Sequence, residues 1–378
     1  MIPQLTIVVL SLCGLALGLH MTTALLALRR ARKTPAASGL SNTLPTVSML
    51  RPVSGLTEED ERSLRSTFEL DYPDFEVIIC AEREQDPAVS YCRVLIGEYP
   101  NVAATLLIGR SRVSANPKLD NLEKGWEAAR HDWVIMADCN VEMPKDYIQT
   151  MLSGWRENCG VVCAPPLGID AKGFWSHVEC AFLNTYQARW QFAADSLNSG
   201  FAQGKSMLWN RDYLNSHGGI LALSAEIAED AAATKLVRDS CLRVCLADRP
   251  SMQPIGQRSL RQVWHRQLRW AQLRRQSFMT EFVLEPLSTM QMPLVLAILS
   301  AHLNGVSVLP AALGIVVVWY GIEAILASGA GWPLAWKSPL AWFCRDMMLP
   351  AVWCAAWWSR SYVWNGKEVD ISARVHAT

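Results

Sequence analysis

Asp138 and Asn140 flank Cys139 at the end of an apolar run, Trp133-Val-Ile-Met-Ala137. Two oxygen-bearing side chains so close can hold Mg2+ or Mn2+ and leave coordination sites for phosphate oxygens. A strand-ending Asp that caps the next turn looks the same. Lys118, in Asn116-Pro117-Lys118, offers a point charge to a diphosphate, or is simply a solvated lysine. Glu229 and Asp230 end an acidic run that begins at Glu226, at an expected helix start. Asp230 can act as a general base, and a helix N-terminus tends to keep it ionised. On spacing alone, the simpler role for the acidic pair is to complement the helix dipole. Asp86 closes Arg83-Glu-Gln-Asp86, directly after another apolar run. Gly200 to Asn210 suits a close backbone approach to a ligand, or a bend into a strand; it lacks P-loop spacing.

The last cluster is Arg266-Gln-Leu-Arg269-Trp270, within a basic stretch from Arg258 to Phe282. Leu260, Val263, Trp264, Leu268 and Leu273 recur there at helical spacing. That pattern fits an in-plane membrane helix with arginines among the headgroups. Alternatively, some of these arginines turn inward to a pyrophosphate, and both roles can hold on different faces of the helix.

These residues need a scaffold, and residues 46–165 alternate strand and helix signals. Strands are expected at Val47–Val53, Glu76–Glu82, Ala104–Gly109, Trp133–Asp138 and Val161–Ala164. Helices are expected to about Leu70 after a Thr57–Asp60 capping box, then over Pro87–Glu98, Leu119–Arg130 and Pro144–Trp155. Such alternation implies an α/β domain with a mostly parallel, helix-covered sheet. Ligands then bind beyond the carboxyl ends of the strands, where Asp86 and Asp138 fall.

The flanks are apolar. The chain of 378 residues is 51% hydrophobic, has 16 Trp and carries no formal net charge. Neutrality argues against a nucleic-acid partner, and so many Trp fit interfacial belts. Ile2 to Leu28 is of spanning length, and its charges, Arg29-Arg30-Ala-Arg32-Lys33, follow it rather than precede it. That order reads as an anchor, not a cleaved signal, and places residue 33 onward in the cytoplasm. Pro293–Val308 and Ala311–Ser328 are expected as two spans joined at Leu309-Pro310, with Glu323 near a helix end at the interface or else buried and functional. Met347–Trp358 reads as interfacial or re-entrant, with Arg345 and Arg360 marking the cytoplasmic side. The resulting division is 1–28 anchor, 29–45 basic stop and linker, 46–257 catalytic domain, 258–290 interfacial helices, 291–328 two spans, and 329–378 interfacial segment and tail. The 11 Cys form no C-x-x-C pair and read as reduced, mostly buried thiols.

In order, Asp86, Asp138, Asp230 and Arg266-Gln-Leu-Arg269-Trp270 resemble the D, D, D, (Q/R)-x-x-R-W signature of membrane-bound family 2-type glycosyltransferases with a GT-A fold. Thr67-Phe-Glu-Leu-Asp-Tyr-Pro73, Tyr99-Pro-Asn-Val102, Asn116-Pro-Lys118 and Ala228-Glu-Asp230 are similar to the ceramide glucosyltransferase group. The resemblance covers residues 46 to 290. It implies that Asp86 contacts the uridine of a UDP-sugar and that Asp138, with Asn140, lies by the diphosphate and its Mg2+ or Mn2+. It makes Asp230 the base, and gives Lys118, Glu229, Arg266, Arg269 and Trp270 to substrate binding, with Arg266, Arg269 and Trp270 at the pyrophosphate and acceptor end and Arg274 and Arg275 left to headgroups. The implied reaction is inverting transfer of glucose or a uronic acid to the primary hydroxyl of ceramide at the cytoplasmic face of a bacterial inner membrane, or of the Golgi in a eukaryote. A hopanoid acceptor is the alternative; a polysaccharide synthase or a non-catalytic nucleotide-binding membrane protein fits less well. Two positions depart from the group: Tyr186-Gln-Ala188 stands where animal members have Ser-His-Pro, and Cys139 where Ser is frequent.

Overall fold

The computed structural model describes residues 2–32, 44–111, 114, 116–358, 361–364 and 367–370. The chain divides into two compact units. One comprises Lys33–Asp170 and Ala194–Gly256, the other Met1–Arg32, Ala171–Ala193 and Gln257–Ala373, apart from the extreme C-terminus. Residues 171–193, inside the expected catalytic span, therefore group with the helices.

The first unit is built on a seven-stranded sheet. Its strands are β1 (Val47–Val53), β2 (Phe75–Ala81), β3 (Ala103–Ile108), β4 (Trp133–Ala137), β5 (Cys159–Cys163), β7 (Ser206–Asn210) and β8 (Arg243–Leu246). The remaining pair, β6 (Pro166–Lys172) and β9 (Ser251–Gln257), forms a small separate sheet. The spatial order is β3-β2-β1-β4-β7-β5-β8. β1 runs parallel to β2 and β4, β2 to β3, and β5 to β8, while β7 runs antiparallel to β4 and β5. The carboxyl ends of β1, β2 and β4 thus share one edge with the start of β7. Helices Glu58–Phe68, Pro87–Glu98 and Pro117–Ala128 connect the first strands as expected. The Thr57 capping box is formed, with Thr57 and Asp60 side chains each accepting from the other's backbone N–H. Val47, Met49, Val77, Ile79 and Ile135 sit in a core closed by Leu64, Phe68, Val89 and Cys92. Inner strands buried this way need continuous apolar sequence, hence runs such as Val77-Ile-Ile-Cys-Ala81.

In the helical unit, Gln4–Ala31 and Val308–Gly329 are long and apolar enough to cross a membrane. Met279–Ser288 and Gln291–Leu303, bent by 47° at their junction, add a third crossing if they act as one span. The expected turn at Leu309-Pro310 is corrected: both residues lie in the first turn of Val308–Gly329, where proline lacks no required donor, and the break falls at Asn304–Ser307. Two further expectations are sharpened here. The last helix begins at Ser338 rather than Met347 and runs to Trp358, and it is not among the helices long and apolar enough to cross a membrane. Of the two places considered for Glu323, the buried one holds: Glu323 and Arg345 are each only 1% exposed and pair with one another at 2.7 Å. Most of the expected linker and Arg360 lie outside the described residues.

Candidate active site

Four segments meet at the carboxyl edge of the sheet. Asp138 follows β4, and its N–H donates to the Lys205 carbonyl at 3.0 Å, continuing the β4–β7 ladder. This places the side chains of Asp138, Asn140 and Lys205 together. The loop that carries them is held from below by Arg51, a fully buried arginine in the middle of β1. Its guanidinium donates to the carbonyls of Cys139 and Val141 at 3.1 Å each, and to that of Ser63 at 3.2 Å. Burying a guanidinium is costly unless it is bonded on several sides, so Arg51 clamps the D-x-N turn.

Asn116 caps the helix Pro117–Ala128 through its Oδ1, and its amide donates to Ile227 O at 3.1 Å and Glu229 Oε2 at 2.8 Å. The cap thus ties Lys118 to the start of the helix Glu229–Asp239. Lys118 Nζ donates to Gly204 O at 2.6 Å, Glu229 Oε1 at 2.7 Å and Asp138 Oδ1 at 2.7 Å. Lys205 Nζ donates to Asp138 Oδ2 at 2.7 Å and Asn140 Oδ1 at 3.0 Å. Asp230 accepts from Gly204 N at 3.2 Å and Ala231 N at 2.8 Å.

The electrostatics follow from these distances. Burial opposes ionisation of Asp138, but Lys118 and Lys205 outweigh it and hold the carboxyl well below the usual range. Burial likewise opposes the Lys118 charge, and Asp138 and Glu229 overcome it, raising its pKa. For Asp230 the backbone N–H groups and the Lys118 charge offset only part of the cost of burial. Burial, and then the Glu229 charge, push it up to about 6. Two carboxylates with opposite shifts suggest different tasks: Asp138 stays a fixed anion, while Asp230 can exchange a proton near neutrality.

Of the residues singled out from sequence, Lys118, Asp138, Asn140, Glu229 and Asp230 converge. Asp86 lies after β2 at the same edge, where its carboxylate accepts from Gly55 N at 3.0 and 3.1 Å and caps the next helix at Ala88 N. Arg266, Arg269 and Trp270 belong to the helical unit, on the helix Leu260–Ser277. There Arg266 meets the buried Glu179 at 3.0 Å and lies over the Trp270 ring at 4.6 Å. Arg274 and Arg275, assigned to headgroups from sequence, bond Glu285 at 2.8 Å and the Trp357 carbonyl at 2.9 Å. Sequence reasoning missed Lys205 and Arg51. The signal for Arg51 was a lone charge inside an apolar strand; for Lys205 it was a cation between a glycine and a strand.

The expected Mg2+ or Mn2+ site meets a different arrangement. The place for an ion between Asp138 and Asn140 is taken by the Lys205 ammonium, and both Asp138 oxygens accept from lysines. Among the described residues, no three His, Cys, Asp or Glu side chains converge as a ligand set. These side chains do not fit a resident divalent ion.

Gly204 is required at this junction. A Cβ there would lie 2.5 Å from Glu229 Oε1 and 3.4 Å from Lys118 Nζ. The Glu229 carboxylate can swing away at little cost in stability, but only by leaving Lys118. Gly204→Ala should therefore lower kcat/KM on the order of 10–100-fold, as an ångström-scale misplacement does, with the melting midpoint nearly unchanged. Steady-state kinetics beside thermal unfolding check this; unaltered kinetics would mean that the Lys118–Glu229 contact positions nothing.

The chain as a whole is similar to several known proteins. A ceramide glucosyltransferase 1 of Caenorhabditis elegans is 26% identical over 340 residues, covering 87% of this chain and 72% of the worm protein. A ceramide glucosyltransferase of Komagataella phaffii is 43% identical over 99 residues, 25% of this chain and 19% of its own. Among solved structures, the mannosyltransferase PcManGT of Pyrobaculum calidifontis, in complex with GDP-Man and Mn2+, superposes with a TM-score of 0.55 at 18% identity, covering 94% of this chain and 97% of its own. That likeness establishes the GT-A fold. The model of glycosyl transferase family 21 matches residues 6–376, nearly the whole length, and the chain belongs to that family.

Proposed function

We propose that this protein transfers glucose or a uronic acid from a UDP-sugar to the primary hydroxyl of ceramide, with inversion, at the cytoplasmic face of a membrane. The observation that carries the reading is a cationic pair, Lys118 and Lys205, at the sheet's carboxyl edge, with the separately tuned base Asp230 bonded to Gly204 between them in sequence. The named relatives support ceramide as acceptor, and the basic close of the first helix, Arg29 and Arg30, supports the cytoplasmic face.

In a single displacement, the acceptor oxygen attacks the anomeric carbon, the bond to UDP breaks and the hydroxyl proton passes to Asp230. Negative charge grows on the departing diphosphate, where the fixed Lys205 ammonium stabilises it more than it does the ground state, while Lys118 holds Asp138 and Glu229 in place. Asp86, anchored by Gly55 N–H, keeps lone pairs for the uridine. Arg269 and Trp270, on the helical unit, are assigned to the lipid acceptor. A divalent cation was the sequence expectation; no step here is routed through one, because Asp138 and Asn140 do not fit it.

The test is direct. The purified full chain is given UDP-glucose and UDP-glucuronic acid, each with ceramide and with a hopanoid alcohol, and the lipids are read by mass spectrometry. A monoglycosylated ceramide is expected. A hopanoid product alone would replace the acceptor, polymer would replace the reaction type, and no transfer from any donor would remove the reading.

A further inference from the structure

Lys205 is the residue that the sequence-level chemistry left unused. Its backbone carbonyl accepts from Asp138 N, and its ammonium returns to Asp138 Oδ2 and Asn140 Oδ1. The two attachments fix it on both its main chain and its side chain. The ammonium is 2.7 Å and 3.0 Å from two oxygens that a D-x-N pair would give to a metal. Lys118 secures the other Asp138 oxygen and spends its three donors on Asp138, Glu229 and Gly204. Each Asp138 oxygen therefore already has a cation. The charge balance around Asp138 is near neutral, unlike an acidic cluster waiting for a divalent ion. Mg2+ in particular demands near-ideal octahedral oxygen coordination, and an ammonium lies in the middle of the only oxygen pair on this turn.

Resting on the nucleotide-sugar reading, we propose that Lys205, braced by Asp138 and Asn140, is the built-in counter-charge of the donor's diphosphate, standing in place of a divalent cation, so that nucleotide binding needs no metal. An ammonium is a compact point charge suited to phosphate oxygens. Asp138 and Asn140 become positioning residues for it. Attached to the chain, this cation needs no recruitment from solution.

The experiment uses the full chain in lipid nanodiscs, with UDP as the probe, titrated calorimetrically in EDTA and in Mn2+. Wild-type Kd should differ by less than about threefold between the two buffers, under 1 kcal/mol. Lys205→Met should weaken UDP binding in EDTA by about 10–100-fold, the scale of one charge-assisted hydrogen bond, and Mn2+ should recover part of that loss once the position is open. Lys205→Arg should retain most of the metal-free affinity. Wild-type binding that collapses in EDTA and returns with Mn2+ would overturn the inference while leaving the nucleotide-sugar reading intact. So would a folded Lys205→Met that binds UDP as wild type does in EDTA. An absence of UDP binding in both buffers would remove the nucleotide-sugar reading, and this inference with it. The wild-type comparison requires no variant, so a misfolded Lys205→Met does not leave the question open.

Discussion

Asp230→Asn should lose ~10²–10⁴-fold in kcat, the usual contribution of a positioned base, while UDP affinity changes only a few-fold. The substitution is isosteric. An Asn oxygen can still accept from Gly204 N, now 3.2 Å from the carboxylate, so the turn into the helix Glu229–Asp239 should persist. What disappears is the ability to take a proton from the acceptor hydroxyl. The pH profile separates this from a structural role. An ordinary Asp titrates near ~3.9 and would be ionised throughout pH 5–8. Here burial and the adjacent Glu229 raise the group to about 6. The competent form is the carboxylate, so the sign is fixed: below pH ~6 the rate should fall about tenfold per unit, and above it the rate should level off. The residual rate of Asp230→Asn should lack that limb. Full activity in the variant, or a wild-type rate flat between pH 5 and 8, would show that another group takes the proton.

Strand–helix alternation in residues 46–165 was legible because the inner strands are buried on both faces and must be continuously apolar, as in Val77-Ile-Ile-Cys-Ala81. The capping box at Thr57 was equally readable, since its side chain bonds a backbone N–H three residues on, whereas the caps at Asp86 and Asn116 went unread although each bonds a backbone N–H two residues on. The acidic residues at strand ends were found by the rule that ligands gather at carboxyl edges. Their partners were not. Lys205 meets Asp138 only because β7 runs antiparallel to β4 and opposes Ser206 to Ala137, a pairing between segments that local pattern does not encode. For the same reason the Asp138-x-Asn140 spacing suggested a metal, although a lysine 65 residues away reaches the pair. Burial of Arg51 is a similar case: the charge was visible in the strand, but the carbonyls of Cys139 and Val141 that satisfy it come from another loop. The π-helical turn Phe182–Ala188 gave no periodic signal at all, because one wider turn does not change the apolar pattern around it.

In the helical unit, Arg345→Met should be the most destabilising single change. Arg345 donates to both oxygens of Glu323, at 2.7 and 3.0 Å, and to Asp346 Oδ1 at 2.9 Å. Tyr320 OH adds a bond to Asp346 Oδ2 at 3.1 Å, and Thr185 one to Glu323 Oε2 at 2.6 Å. Two opposing magnitudes decide the outcome. Polar contacts between helices in a membrane average only ~0.6 kcal/mol when both partners can find substitutes. Removing one member of a fully buried ion group instead strands the other charges and costs ~3–5 kcal/mol. The second regime applies here, because Glu323 and Asp346 are 1% and 2% exposed and both bond directly to the Arg345 guanidinium. Methionine fills much of the volume, so the loss reports charge rather than a cavity. A fall in the melting midpoint of about 5–15 °C is expected in detergent or nanodiscs. Arg345→Lys should fall between, since an ammonium keeps the charge but not the fork that spans both Glu323 oxygens. Glu323→Gln should be milder than Arg345→Met: it leaves Arg345 paired with Asp346 and removes a charge instead of isolating one. If Arg345→Met melts within 1–2 °C of wild type, the two carboxylates must be satisfied without Arg345, and the helices Val308–Gly329 and Ser338–Trp358 are held together without its ion pair.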